Sequence, residues 1–191
     1  MIGGSHAFDE LDPIWLLNQY RAAEVTGAGV ILRMSRLSDT LSLSTDLSHH
    51  LRDEAMHAWL WTKAIRARGG EILEVTEHYQ ERLGYHFGVP RSLTDLLALT
   101  WVSESRGVDQ YRTHLDSLEI EADIRRTLRA ILKDEEWHVA YIQDELARRA
   151  RRDGSVRAVI DRAQEADARA VADIGAGAVV AGPEPQAGAT S

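Results

Sequence analysis

Apolar residues recur at intervals of three and four along most of the chain, the period of amphipathic helices rather than strands. Prolines fall only at positions 13, 90, 183 and 185, so long helices fit between them. Asp12–Pro13 predicts a first helix start, with Asp as cap and Pro at the first helical position, and the helix extends to about Leu37. The polar run Ser38–Ser44 reads as a loop. A second helix is expected from near Thr45 to the pair Gly69–Gly70, after a basic last turn containing Arg66 and Arg68. A shorter amphipathic piece over 71–83 precedes the breaker-rich stretch Gly84–Pro90. Ser92-Leu-Thr-Asp95 has the form of a capping box and opens a third long helix to about Leu118. The fourth covers about 121–152 and ends at Asp153–Gly154, and an alanine-rich helix spans about 155–174.

The expected fold is therefore all-α. Short loops make the first and second long helices one antiparallel hairpin and the third and fourth another. The connection over 71–90 is long enough to cross the bundle. The outline is a four-helix bundle with a long crossover and an extra C-terminal helix, one domain over 1–174. Residues 175–191 are small, contain two prolines and carry no Lys or Arg, so they are expected to be a disordered tail.

Composition narrows the chemistry. The 191 residues carry a net charge of −8 and no cysteine, which excludes disulfides, thiolate-bound zinc, rubredoxin-type iron and a cysteine nucleophile. The N-terminus has no signal-peptide form, and no apolar stretch is long enough to span a bilayer, so a cytoplasmic location is expected. An acidic protein is a poor match to a phosphate backbone, and nucleic acid is not the expected partner.

Two pentapeptides carry the chemical signal. Asp53-Glu54-Ala55-Met56-His57 and Asp134-Glu135-Glu136-Trp137-His138 both fit D-E-x-x-H. By composition such a motif is expected on the order of 0.05 times in this chain. Residues three apart share a helix face, so each Glu and His can converge on one ion. Glu24 lies 30 residues before Glu54 and Glu104 lies 31 before Glu135, which gives a pseudo-repeat. All four glutamates sit in apolar stripes: Leu17, Tyr20 and Ile31 flank Glu24, and Leu128, Ile131 and Ile142 flank Glu135. A buried carboxylate costs several kcal/mol, and four together cost more unless metal offsets them. Salt bridges are the competing account, but Arg21 is the one basic residue close to these stripes. Oxygen and imidazole donors suit iron or manganese.

The sequence resembles the ferritin-like di-iron carboxylate superfamily over about residues 12–150. That pattern takes one Glu from each of two helices and Glu-x-x-His from each of two others. Glu24, Glu54, His57, Glu104, Glu135 and His138 match all six positions. Glu104-Ser-Arg-Gly-Val-Asp109 with Asp134-Glu-x-x-His-Val139 is similar, more loosely, to an uncharacterised bacterial ferritin-like branch. The resemblance implies that these six residues bind metal and carry catalysis. By analogy, Asp53 and Asp134 would accept the free N–H of a ligating histidine. It further implies two iron ions, with manganese an alternative, O₂ as co-substrate, and an external reductase or ferredoxin as electron donor.

The superfamily hosts several reactions, and fold alone does not choose among them. The expected function is a non-haem di-iron oxidase or oxygenase acting on a small organic molecule. The alternatives are a peroxidase, ferroxidase or metal-handling protein without organic substrate, a tRNA hydroxylase-like enzyme, and a metal-stabilised binding module. Gly27 and Gly107, each one turn after a glutamate, leave room either for a substrate or for close helix packing. Tyr20, Tyr111 and Tyr141 admit a radical or proton-relay role, but packing is the commoner fate of such tyrosines, and Trp101 and Trp137 read as core. His49, His50, His78, His86 and His114 read as surface or capping groups, although His50 precedes Glu54 by one turn. Arginines cluster at 125, 126 and 129 and again at 148, 149, 151 and 152; a helix C-terminus explains the second cluster, and a basic RNA face is the competing account. A homodimer is compatible with all of this.

Overall fold

The computed structural model describes residues 12–75, 79–116 and 120–177. Every regular element among them is a helix: α1 Pro13–Leu37, α2 Leu41–Ala67, α3 Tyr79–Phe87, α4 Leu93–Leu115, α5 Ala122–Ala150 and α6 Val156–Gly177. The pairs α1/α2 and α4/α5 form two hairpins that pack on each other, and α6 covers α3 and α4.

Local chemistry explains the boundaries. The Asp12 carboxylate accepts from Ile14 N at 2.7 Å and Trp15 N at 3.0 Å, with Pro13 in the first turn. Helix α2 starts four residues earlier than Thr45, because the Thr40 hydroxyl accepts from Leu43 N at 3.2 Å and caps it. The following Ser/Thr hydroxyls donate back to carbonyls one turn earlier, Thr45 to Leu41 at 2.9 Å and Ser48 to Ser44 at 2.7 Å. The polar run expected as a loop is thus the first turns of a helix. At its other end Gly69 has φ +68°, and Gly70 N donates to Ile65 O at 3.1 Å, closing the helix as the glycine pair predicts.

The crossover differs from expectation. Residues 71–75 are not helical, because the Asn18 amide takes over their backbone bonds: its Nδ2 donates to Glu71 O at 3.1 Å, and its Oδ1 accepts from Leu73 N at 2.9 Å. Helix α3 instead continues through Gly84 and buries Leu83 and Phe87, one turn apart, before Gly88 at φ +84° ends it. Ser92 and Asp95 form the expected capping box, with Asp95 N to Ser92 Oγ and Ser92 N to Asp95 Oδ2 both at 3.1 Å. Asp95 Oδ1 also accepts from Arg162 of α6 at 2.6 Å, so the cap ties α4 to the outer helix. Helix α6 extends through Gly177, three residues into the stretch expected as tail, and positions 178–191 lie outside the described residues.

Two apolar clusters fill the interior. One gathers Ile31, Met34, Leu47, Leu97, Ile142 and the alanines of α6. The other gathers Leu17, Tyr20, Trp61, Ile65, Leu128 and Ile131. On α1, α2 and α5 the buried Glu24, Glu54 and Glu135 fall between residues of the two clusters, so a polar layer divides the core. Ser92→Ala removes one half of the capping box. It should destabilise the protein by about 1 kcal/mol, which lowers the calorimetric Tm by about 2–4 °C for a chain of this size.

Candidate metal centre

The polar layer is built from four helices. Helix α1 contributes Glu24, α2 contributes His50, Glu54 and His57, α4 contributes Glu104, and α5 contributes Glu135 and His138. Their donor atoms form two groups, Glu24–Glu54–His57–Glu135 and His50–Glu54–Glu104–His138, and within each group the atoms lie within 4.8 Å of one another. Glu54 belongs to both. All are buried except Glu104, which lines a cavity and is half-buried.

Distances define the arrangement. His57 Nδ1 lies 3.1 Å from Glu135 Oε1 and 3.4 Å from Glu24 Oε2, and His138 Nδ1 lies 3.1 Å from Glu135 Oε2. The two oxygens of Glu135 therefore face two different histidines. His50 Nε2 lies 3.1 Å from Glu54 Oε1 and 3.4 Å from Glu104 Oε1. Its ring stacks on His138 with centroids 3.6 Å apart, and its Nδ1 bonds Tyr141 Oη at 2.8 Å. The two motif aspartates act crosswise. Asp134 Oδ2 is 3.2 Å from His57 Nε2, and Asp53 Oδ2 is 3.5 Å from His138 Nε2. Each motif thus places an aspartate beside the other motif's histidine with both Nδ1 atoms facing the carboxylates; Asp134 bonds His57 Nε2, while His138 Nε2 makes no hydrogen bond of acceptable geometry.

His50 corrects the sequence reading, which placed it at the surface. The signal was present as a histidine one turn before Glu54. The pseudo-repeat concealed it, because the matching position before Glu135 is Ile131. His114 is also buried, with its Nδ1 2.9 Å from Tyr20 Oη. His49 stays partly exposed beside Asp53, His86 pairs with Asp173 at 2.7 Å, and His78 lies outside the described residues. Around Glu24, Tyr111 Oη donates to Oε1 at 2.6 Å and Trp61 Nε1 to the same oxygen at 3.2 Å. Tyr20 packs on both rings at about 5 Å. The three tyrosines therefore pack and hydrogen-bond at once. Trp137 is half-buried against His49 and Tyr141, and Trp101 is half-buried against the first cluster. Of the arginines, Arg148 and Arg149 are engaged by Glu145 and Asp39.

The electrostatics are those of a cation site. Burial raises the Glu54 carboxyl well above its ordinary range, and Glu104, Glu24 and Glu135 add to this. Burial also raises Glu104, with Glu135 as the next cause. Desolvation pulls His57 down, but the Glu135 and Glu24 carboxylates beside it overcome this and push its pKa up to about 11. Desolvation followed by the neighbouring His50 pulls His138 down to about 3. Desolvation opposes ionisation of Asp53, yet the Arg52 guanidinium holds it below the usual range, so its charge is kept beside His138. His57 Nδ1 makes no hydrogen bond of acceptable geometry despite two carboxylates within reach. A divalent ion bound by hard oxygen and imidazole donors would satisfy that nitrogen and offset the clustered carboxylates, so the residues fit a metal.

A cavity of about 300 Å³ opens from the four glutamates between α1, α3 and α4. The two glycines beside the glutamates serve it differently. A Cβ on Gly27 would lie 2.2 Å from Glu54 Oε2, whereas one on Gly107 would meet nothing within 4 Å. Gly27 lets Glu54 reach the centre, and Gly107 leaves the cavity open. No family model, curated protein or solved structure matches the chain.

Two outcomes follow for the centre. Gly27→Ala favours the helix by about 1 kcal/mol but displaces the Glu54 carboxylate. Helical circular dichroism should be retained while metal affinity falls at least about tenfold, the scale of a disturbed metal-ligand environment. Metal binding must also expel the protons held by His57 and Glu54. Calorimetry in buffers of different ionisation enthalpy should therefore show proton release, with affinity rising with pH. Without metal the sign is opposite. Stability from His57, complete below its ordinary 6.5, is lost as pH rises towards about 11, and that from Glu54 falls in the same direction.

Proposed function

We propose that the protein is a ferritin-like non-haem di-iron oxidase or oxygenase that activates O₂ to oxidise a small organic substrate. The observation that carries this reading is two buried ligand groups sharing Glu54 and facing a cavity with largely apolar walls. A shared carboxylate suits two ions close enough to act on one O₂ molecule, and an apolar wall limits water at the reacting centre. The two-hairpin architecture with its long crossover is the arrangement on which such carboxylate centres are built.

Glu24, Glu54, His57 and Glu135 would hold one ion, and His50, Glu54, Glu104 and His138 the other. When bound, the iron pair would supply the electrons that reduce O₂, with an external donor restoring them. The chain's own groups set the conditions. Asp134 fixes the His57 imidazole by accepting from its Nε2, and Asp53 places its charge 3.5 Å from His138 Nε2. Tyr111 and Trp61 donate to one oxygen of Glu24 and so leave its other oxygen free for the ion. The 191 residues hold no cysteine and so no thiolate-ligated iron centre that could serve as the electron donor. The cavity favours an organic substrate over iron storage, because the open space beside the centre is walled by Val30, Leu83, Leu96 and Leu99, with Glu81 the one carboxylate in its lining beyond the four of the centre.

The test begins with anaerobic titration of ferrous iron, which should load about two ions per chain, one for each donor group. Glu54→Ala should abolish both, since it is shared, while Glu24→Ala should spare the group containing His50 and His138. O₂ uptake on oxidation should match the electrons of two ferrous ions and bleach or colour the protein within one turnover. Loading below about one ion per chain would overturn the metal reading. Mineralisation of many irons, or rapid disproportionation of peroxide without O₂ use, would overturn the oxidase reading.

A further inference from the structure

The cavity has a built polarity from its floor to its rim. The floor is formed by the four glutamates, with Gly27 and Gly107 beside them. Along α1 the lining then climbs through Val30 to Arg33 at the mouth. Leu83 of α3 and Leu96 and Leu99 of α4 complete an apolar wall. Arg33 lies nine residues beyond Glu24, which is about 13 Å along a helix axis. The space is therefore a slot closed by carboxylates at one end and marked by a guanidinium at the other.

The rim charges are not equivalent. Arg33 makes one hydrogen bond, from Nη2 to the Pro90 carbonyl at 3.3 Å, and meets no carboxylate among the described residues. Glu81, on the opposite lip, already has an interaction partner. Two divalent ions would neutralise the four glutamates of the floor, leaving the exposed Arg33 as a positive charge at the mouth with no carboxylate partner among the described residues. Its remaining N–H groups suit a carboxylate or similar oxyanion. An extended chain advances roughly 1.2 Å per bond, since three backbone bonds cover about 3.5 Å. About eight to ten bonds then reach from the guanidinium to the edge of the metal layer.

We propose that the cavity binds a rod-shaped apolar molecule about ten bonds long that ends in a single anionic group, with that group at Arg33 and its far end at the glutamates. The inference rests on the oxidase reading and names its substrate class. A volume of about 300 Å³ admits one such chain and lies at the small end of ligand pockets. The anionic end is the anchor, and the apolar end is the one presented for oxidation.

The experiment is isothermal titration of the full chain, loaded with redox-inert zinc and also metal-free, with decanoate, decylamine and butanoate as probes. Decanoate should bind more tightly than either of the others. Arg33→Gln should weaken decanoate at least about tenfold, the size of a hydrogen bond to a charged group, and should leave decylamine unaffected. Gly107→Leu points a side chain into the open floor and should abolish decanoate binding while bound zinc, measured on the same samples, is retained. Decylamine binding as tightly as decanoate, or an Arg33→Gln protein that binds decanoate unchanged, overturns the inference. Loss of zinc in the unmutated chain counts against the oxidase reading alone, because the decanoate comparison in the metal-free chain still decides the ligand class.

Discussion

The mutual repulsion and desolvation of four clustered glutamates is the constraint on which the rest of this structure depends. Each buried ion costs several kcal/mol, and here the charges converge in one layer of a helical bundle. Three histidines and two aspartates are arranged around them, and almost every contact in the layer is a donor meeting a carboxylate or a carboxylate meeting an imidazole. The raised pKa of Glu54 and of His57 are two expressions of the same imbalance. Without a cation, protons must hold the layer together. With one, the protons leave and the geometry is already in place. The apolar clusters on either side supply the stability that allows so expensive a layer to be buried.

This constraint made the centre readable from the chain. Glu and His three apart, twice, within apolar stripes, is a pattern that few structural roles require, and the six residues so marked come together in space. The crosswise use of Asp53 and Asp134 follows from the same repeat, although which histidine each serves depends on how the hairpins face one another. His50 was obscured by reliance on symmetry. Its counterpart is Ile131, and the centre is asymmetric at that point, with two imidazoles in one group and one in the other. A second imidazole, stacked on His138 and bonded to Tyr141, distinguishes the environments that two ions would experience.

What the sequence concealed is of two kinds. The early start of α2 rests on hydroxyls bonding carbonyls of their own helix, a choice that composition alone resolves in favour of a loop. The extended segment at 71–75 rests on Asn18, more than fifty residues away, and no local pattern announces such a clamp. Gly27 and Gly107 occupy equivalent places in the repeat but differ in what surrounds them. One is required by Glu54 at close range, and the other borders open space. Residue type and spacing were identical, so only the packing could separate close approach from cavity.

The crossover ties these observations together. Asn18 holds its first part against α1, close to the start of the helix that bears Glu24. Further along, α3 is held by α6: Tyr79 donates to Asp167 at 2.6 Å, Arg106 of α4 bonds the same carboxylate, and His86 pairs with Asp173. Helix α6 adds a second contact by packing Arg162 over the Phe87 ring at 4.2 Å while bonding the Asp95 cap. None of these residues touches the glutamates, yet together they set where Leu83 and Pro90 stand and hence the width of the cavity mouth. The bundle builds the centre, and the crossover with α6 determines what reaches it. The cavity is therefore shaped jointly by α1 and α4, which also carry glutamates of the polar layer, and by the crossover helix that lies outside that layer.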